Sequence, residues 1–248
     1  MAEYAAEGKY FRKSSGQKNK EGRMLTAVIF DFDGIIVDTE PLHYRAFQEV
    51  LAPLGLGYSW QDYLNHYIGF DDRDALRYAF RSGGKTLADG ELRKLIEEKG
   101  AAFHRIIASG VDVYPGVVEL LRSLSGKIPL ALCSGALPSD IDPILMRLGI
   151  TGIFDVIVTA ADVQASKPDP KSYALAVARL KEAYPDKGII PENCLAIEDT
   201  PAGIASARSA GIKVLAVANS YPEDELSGAF RVIDRLVGVD LQSLHLLF

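Results

Sequence analysis

The segment Phe30–His43, FDFDGIIVDTEPLH, combines apolar residues with several carboxylates. It directly follows an apolar run, residues 27–29, that is typical of a buried strand. Asp31, Asp33 and Asp38 then place three carboxylates within eight residues. Because burying an unpaired carboxylate is costly, such a cluster requires a partner. A metal ion, a phosphate-handling site or a set of helix caps could each supply one.

Short apolar runs recur beyond this stretch and alternate with helical patterns. Their lack of polar alternation is typical of strands that are covered on both faces. Several helical patterns end at a glycine, namely Gly126, Gly149 and Gly211. This alternation predicts an α/β fold with a doubly wound parallel sheet. The predicted strands are Thr26–Phe30, Pro129–Cys133, Val156–Thr159, Cys194–Ile197, Lys213–Val217 and a weaker Phe230–Ile233.

One segment interrupts the alternation of strands and helices. Residues 41–109 carry only helical patterns, so we expect an all-helical domain inserted after the first strand. Residues 24–40 and 110–248 then form the α/β core. Residues 1–23 hold six Lys/Arg and three Asp/Glu, with no apolar segment, and we expect this N-terminal tail to be disordered.

The composition limits the possible functions. With 248 residues, 48% of them apolar, the chain can bury a sizeable core. The net charge of −6 argues against a nucleic-acid partner, and no apolar run is long enough to cross a membrane. The low cysteine usage is typical of a reducing compartment, so we expect a cytoplasmic protein. We expect a monomer or a weak dimer.

Polar residues follow the predicted strands at the points where the strands end. In an open parallel sheet, ligands bind beyond the carboxyl ends of the strands. We therefore expect these residues to share one rim, although they are far apart in the sequence. They are Asp31, Asp33 and Gly34 after the first strand, Ser134 and Gly135 in CSGA, Lys167 in SKPDP, and Glu198 and Asp199 in IEDTPAG.

The residue types at this rim favour phosphoryl transfer. Asp31 and Asp33 are two residues apart and leave an extended backbone on the same side, so one can act as nucleophile and the other as acid or base. Asp199 adds a carboxylate that would complete a hard oxygen site for Mg²⁺. The Ser134 hydroxyl, the backbone N–H groups beside it and the Lys167 ammonium could bind a phosphoryl group. Taken singly, each residue is better explained as a cap, a turn or a solvated side chain, and only the set together favours this chemistry.

The segments DFDGIIVDTE, CSGA, SKPDP and IEDTPAG, in this order, resemble the four motifs of the haloacid dehalogenase (HAD) superfamily. The resemblance covers the chain from Met24 to its end and is strongest to the phosphatase and phosphomutase side. It implies a Rossmann-like core, with the first and fourth strands as neighbours and the helical insertion as a cap domain. It implies that Asp31 is the nucleophile that becomes aspartyl-phosphate and that Asp33 acts as acid and base. It implies that the phosphate-binding residues are Ser134, Gly135 and Lys167. The Mg²⁺ ligands it implies are Asp31, the Asp33 carbonyl and Asp199, with Glu198 close by as a further metal-site residue.

The predicted cap bears on which reaction the chain performs. Within the family, the chain resembles the β-phosphoglucomutase-like branch, which includes sugar-phosphate and phosphoglycolate phosphatases. His43 matches a cap-hinge histidine of the mutase, although a polar residue in a first helical turn explains it equally well. Lys99 falls near a cap lysine of that branch. Three residues after Gly69, where the mutase has an arginine, this chain has Asp72, with Arg73 one position beyond.

A second difference lies just after the CSGA motif. The mutase carries Ser-Lys there, whereas this chain has Ala136 and Leu137. Because both differences remove groups that would hold a second phosphate, we predict a Mg²⁺-dependent phosphatase whose partner is a small phosphorylated metabolite, such as a sugar phosphate or a phosphoglycolate-like compound. A β-phosphoglucomutase-type phosphomutase is the alternative, and a non-catalytic phosphate-binding regulatory protein is a more distant one.

Overall fold

The computed structural model describes residues 24–68 and 70–248. The predicted N-terminal tail and Gly69 lie outside the described residues. The chain forms two compact units. The first unit comprises the described residues up to Ile36 and from Val113 onward, and the second unit comprises residues 37–112. The bounds of this second unit lie slightly outside the range 41–109 predicted for the cap domain, and its role as a cap stays a prediction.

The first unit is built on a six-stranded parallel sheet, which confirms the predicted fold class. In chain order the strands among the described residues are β1 (Ala27–Phe30), β2 (Val37–Asp38), β3 (Asp112–Val113), β4 (Leu130–Cys133), β5 (Val156–Val158), β6 (Cys194–Glu198), β7 (Lys213–Val217) and β8 (Arg231–Ile233). The order across the sheet is β5-β4-β1-β6-β7-β8, and every neighbouring pair is parallel. Phe30 of β1 lies opposite Ile197 of β6, so these two strands end side by side.

Helices connect the strands. In chain order they are α1 (Glu40–Leu51), α2 (Trp60–His66), α3 (Asp72–Ser82), α4 (Asp89–Ser109), α5 (Val117–Leu124), α6 (Pro138–Arg147), α7 (Lys171–Ala183), α8 (Pro201–Ser209) and α9 (Leu241–His245). β1, β4 and β6 are buried along their whole length, because helices cover the sheet. Tyr173 of α7 and Ile204 of α8 belong to one buried cluster with alternate residues of these strands.

Helix α7 was not predicted from the sequence. Its residues Tyr173, Ala176, Val177 and Leu180 have the spacing of three to four that marks one helix face, and all four are buried. That spacing was the signal that could have revealed the helix. The short elements β2, β3 and α9 were also not predicted, because two to five residues are too few to show a period.

The second unit contains helices α1 to α4 and has an apolar core of its own. Phe47, Leu51, Leu76 and Phe80 are among the residues buried in it. At the start of α2, Ser59 and Asp62 form a capping box, in which each side chain accepts a backbone N–H from the other residue. No helix among the described residues combines the length and the apolar character needed to span a membrane.

Candidate active site

Asp31 lies at the carboxyl end of β1. Its backbone N–H donates to the carbonyl of Ile197 in β6 at 3.0 Å, and the residue is only 7% exposed. Its Oδ1 atom accepts a hydrogen bond from Lys167 Nζ at 2.7 Å. Burial raises the pKa of the Asp31 carboxyl to about 7, an effect that Glu198 reinforces and Lys167 opposes. The two central strands therefore hold this carboxylate in a fixed, poorly solvated position.

Lys167 reaches the same point from the loop before α7. Its ammonium donates to Asp31 Oδ1, to Glu198 Oε1 at 2.6 Å and to the Cys133 carbonyl at 3.1 Å. Burial alone would lower the pKa of Lys167, but the two carboxylates outweigh burial and hold the pKa well above its ordinary value. The side chain therefore stays charged.

Glu198 is the last residue of β6 and is completely buried, and both of its carboxylate oxygens accept hydrogen bonds. Besides the ammonium of Lys167, Oε1 accepts the Tyr173 hydroxyl at 2.8 Å. Oε2 accepts the backbone N–H groups of Asp199 and Thr200 and the Thr200 hydroxyl, at 3.1 to 3.3 Å. A side chain at Gly203 would overlap this carboxyl group, so α8 needs a glycine there. Tyr173 was not among the predicted site residues, because α7 was not recognised from the sequence.

Three carboxylates meet at this edge of the sheet. Asp31, Glu198 and Asp199 each offer an oxygen within 4.8 Å of the others. Asp199 Oδ1 is buried and has no hydrogen-bond partner among the described residues. Burial raises the pKa of Asp199 well above its ordinary value, and Glu198 and Asp31 raise it further. Hard oxygen donors, crowded negative charge and one unpartnered buried oxygen together fit a Mg²⁺ ion.

Gly34 makes room for this arrangement. Its φ of +81° is a conformation that glycine adopts without strain, and a Cβ there would overlap the Asp199 carboxylate. Asp33 stands directly before it, is half-buried, and is close enough to contribute to the raised pKa of Asp31. Asp33 thus lies beside the three carboxylates, but its side chain is not part of the group that could hold a metal.

Ser134 follows β4 and is 2% exposed. Its N–H donates to the Val158 carbonyl at 2.9 Å, and its Oγ accepts the N–H of Ala136 at 2.9 Å. Ala136 N–H, one of the predicted phosphate donors, is therefore already bonded. Because Ser134 Oγ is the acceptor in that bond, its own proton can be donated outward. Gly135 is exposed and has open space around it, so a ligand can approach its backbone.

His43, Lys99 and Arg73 lie in the second unit. Lys99 is 2% exposed, and its ammonium contacts Asp72 Oδ1 at 2.6 Å and His43 Nδ1 at 2.8 Å. An ammonium can only donate, so Nδ1 accepts and the ring proton of His43 is on Nε2. Burial lowers the pKa of His43 well below its ordinary value, and Lys99 lowers it further. The structure brings His43 and Lys99 together with Asp72, whereas Arg73 is exposed.

A parallel α/β sheet with a charged lysine and clustered carboxylates at its carboxyl edge has the groups that phosphoryl transfer requires. The family description "Haloacid dehalogenase-like hydrolase" matches residues 28–217. The chain belongs to this family, and the resemblance drawn from the four motifs is confirmed.

Named relatives narrow the class further. Fructose-1-phosphate phosphatase YqaB from Escherichia coli is 32% identical over 190 residues, which cover 77% of this chain and 95% of that protein. Beta-phosphoglucomutase from Bacillus subtilis is 30% identical over 228 residues, which cover 89% and 94%. The crystal structure of CbbY from Rhodobacter sphaeroides in complex with phosphate has a TM-score of 0.78 at 26% identity and covers 89% of this chain and 99% of that one. The chain is thus a HAD-type phosphoric monoester hydrolase, with phosphomutase as the alternative.

Asp199→Ala tests the metal site. We expect the variant to weaken Mg²⁺ binding by more than the roughly 10–100-fold that loss of an outer partner costs. In EDTA at pH 7, its thermal midpoint should equal or exceed that of the wild type, because burial makes the charged form of this carboxylate unfavourable. Titration calorimetry and thermal unfolding measure both effects.

Asp186→Ala is the matched control for this change. Asp186 is an exposed carboxylate, and its removal should alter neither the affinity nor the midpoint. Unchanged Mg²⁺ affinity in Asp199→Ala would rule out Asp199 as a ligand.

Proposed function

We propose that this protein is a Mg²⁺-dependent phosphatase that hydrolyses a small phosphomonoester through an aspartyl-phosphate on Asp31. The observation that carries the proposal is the contact of Lys167 Nζ with Asp31 Oδ1 at 2.7 Å, beside the buried carboxylates of Glu198 and Asp199. A buried carboxylate, a charged lysine and a candidate metal site thus occupy one edge of the sheet, which supports these roles. Each is a group that phosphoryl transfer requires.

In the first step, the Asp31 carboxylate attacks phosphorus, and the bond between phosphorus and the ester oxygen breaks. Asp33 gives its proton to the departing oxygen, so the leaving group departs as an alcohol. In the second step, water attacks the phosphorus of the aspartyl-phosphate and gives a proton to Asp33. The bond between phosphorus and Asp31 breaks, inorganic phosphate leaves, and both aspartates return to their starting states.

The remaining site residues neutralise and orient the phosphoryl group. Lys167 offers a charged ammonium, and Ser134 offers a hydroxyl proton at the end of the neighbouring strand. Asp31 and Asp199 would hold the Mg²⁺, together with the Asp33 carbonyl and with Glu198 close by. The bound ion supplies positive charge that allows a carboxylate and a phosphate to approach each other.

The phosphatase reading is favoured over the mutase reading by the groups around Lys99. A mutase must hold a sugar bisphosphate at both ends, which needs a cation at the end remote from Lys167 as well. The Lys99 ammonium contacts the Asp72 carboxylate at 2.6 Å, which compensates its charge inside its own unit, and it also donates to the neutral His43 ring at 2.8 Å. Ala136 and Leu137 add no charge. A phosphatase of a sugar phosphate, as the name of the E. coli relative indicates for that protein, is the reading we favour.

The test measures product balance. We expect inorganic phosphate to be released from at least one member of a panel containing fructose 1-phosphate, β-glucose 1-phosphate and phosphoglycolate, and EDTA to abolish the release. In ³¹P spectra of β-glucose 1-phosphate primed with the glucose 1,6-bisphosphate, free phosphate should accumulate with little glucose 6-phosphate. The cytoplasmic location and the monomeric or weakly dimeric state stay predictions from sequence.

Two outcomes would contradict the proposal in different ways. Rapid formation of glucose 6-phosphate without free phosphate would favour the mutase and give His43 the role that the resemblance implies. Phosphate binding without turnover of any phosphomonoester would favour the non-catalytic alternative.

A further inference from the structure

The loop after β7 contacts Asp199, one of the three clustered carboxylates, and the turn at Gly34 that follows Asp33. The Ser220 hydroxyl donates to Asp199 Oδ2, and Asn219 Nδ2 donates to the Gly34 carbonyl at 2.7 Å. The loop is fixed to the sheet, because Ala218 N–H donates to the carbonyl of Ile233 at 2.9 Å. Neither side chain belongs to the four motifs, and neither was singled out from the sequence.

The two carboxylate oxygens of Asp199 differ in their hydrogen bonding. Oδ2 is taken by the serine hydroxyl, whereas Oδ1 is buried without a hydrogen-bond partner in the described part of the chain. A carboxylate held in this way cannot rotate without losing the serine bond. Oδ1 is therefore presented in one orientation, on the carboxylate that also faces Asp31 and Glu198.

Asn219 contacts the turn at Gly34. Gly34 occupies the turn directly after Asp33 with a φ of +81°. Because a glycine backbone can adopt many other conformations, this turn needs contacts that hold it in place. The amide of Asn219 fixes the carbonyl of this turn. An added Cβ on Gly34 would also press against Ser220 Oγ at 2.8 Å, so the turn, the serine and Asp199 are packed as one group.

We propose that Asn219 and Ser220 are positioning residues for a divalent cation: Ser220 orients Asp199, and Asn219 fixes the turn at Gly34. This inference rests on the proposed function, because it assumes that the cation site is used. Partners outside the first coordination shell orient the ligands, and their loss typically costs 10–100-fold in metal affinity.

The experiment is Mg²⁺ titration calorimetry on the full chain, together with thermal unfolding in EDTA. Ser220→Ala should raise the Kd for Mg²⁺ by roughly 10–100-fold, while Ser220→Thr, which keeps the hydroxyl, should stay within about threefold of the wild type. Asn219→Ala should raise the Kd as well. Ser227→Ala, an exposed serine seven positions beyond Ser220, is the matched control and should change nothing.

The outcomes separate this inference from the proposed function. A lowered thermal midpoint with unchanged Kd in both Ser220→Ala and Asn219→Ala means a purely structural loop and overturns the inference, while the phosphatase proposal stands. A raised Kd with rescue by threonine, in a wild-type protein that hydrolyses no phosphomonoester, supports the inference and refutes the phosphatase. A wild type that binds no Mg²⁺ overturns both.

Discussion

Asp31→Asn is expected to reduce the kcat for phosphate release to background, by at least roughly 10⁴-fold, as is typical when a nucleophile is removed. The substitution keeps the shape of the side chain but replaces the attacking carboxylate oxygen with an amide, which cannot form the aspartyl-phosphate. The measurement is the steady-state release of inorganic phosphate at saturating Mg²⁺. Turnover at the wild-type rate would refute the aspartyl-phosphate mechanism.

Loss of the fold must be separated from loss of the nucleophile. The folded-state pKa of Asp31 is about 7, far above the ordinary value of 3.8. A raised pKa means that the stability this group contributes is present below about pH 4 and is lost as the pH rises through about 7. At pH 8 in EDTA, the Asp31→Asn variant should therefore melt no lower than the wild type. A variant that is inactive because it is unfolded would fail this second measurement.

Much of the site could be predicted because parallel strands end at a common edge. Asp31 and Glu198 are more than 160 positions apart, yet the pairing of β1 with β6 brings them to the same place. Lys167 joins them from a loop that the sequence marks with the SKPDP motif. The strands themselves were recognisable because burial on both faces leaves an uninterrupted apolar run.

The residues that sequence reasoning missed are those whose partners depend on packing. Tyr173 binds Glu198 only because α7 packs on the sheet. Ser220 lies in a loop without a motif, and only the folded chain shows that its hydroxyl meets Asp199. Lys99 and Asp72 were both named from the sequence, but their ion pair was not predicted, because they lie on different helices of the second unit. Periodicity reports the environment of a residue but not the identity of a distant partner.

Lys167→Met is expected to have the second largest effect, on both activity and stability. The ammonium donates to Asp31, Glu198 and the Cys133 carbonyl, and its side chain is only 14% exposed. Its loss leaves buried carboxylates without their cation, which costs about 3–5 kcal/mol of stability when a partner of a buried pair is removed. Loss of one charged donor at the phosphoryl group should lower kcat by roughly 10²–10³-fold.

The pH dependence shows whether this loss is electrostatic. Without Lys167 the carboxylates can avoid the cost by taking up protons, so the destabilisation measured in EDTA should be larger at pH 8 than at pH 5. Mg²⁺ should restore part of the stability at pH 8, because it brings positive charge to the same carboxylates.

Lys171→Met is the matched control, since that lysine is 66% exposed in its pair with Asp169 and its loss should cost less than about 1 kcal/mol. A loss in Lys167→Met that is independent of pH and unaffected by Mg²⁺ would mean that the lysine stabilises the fold by packing alone. The charge balance at this edge of the sheet would then have to be assigned to other groups.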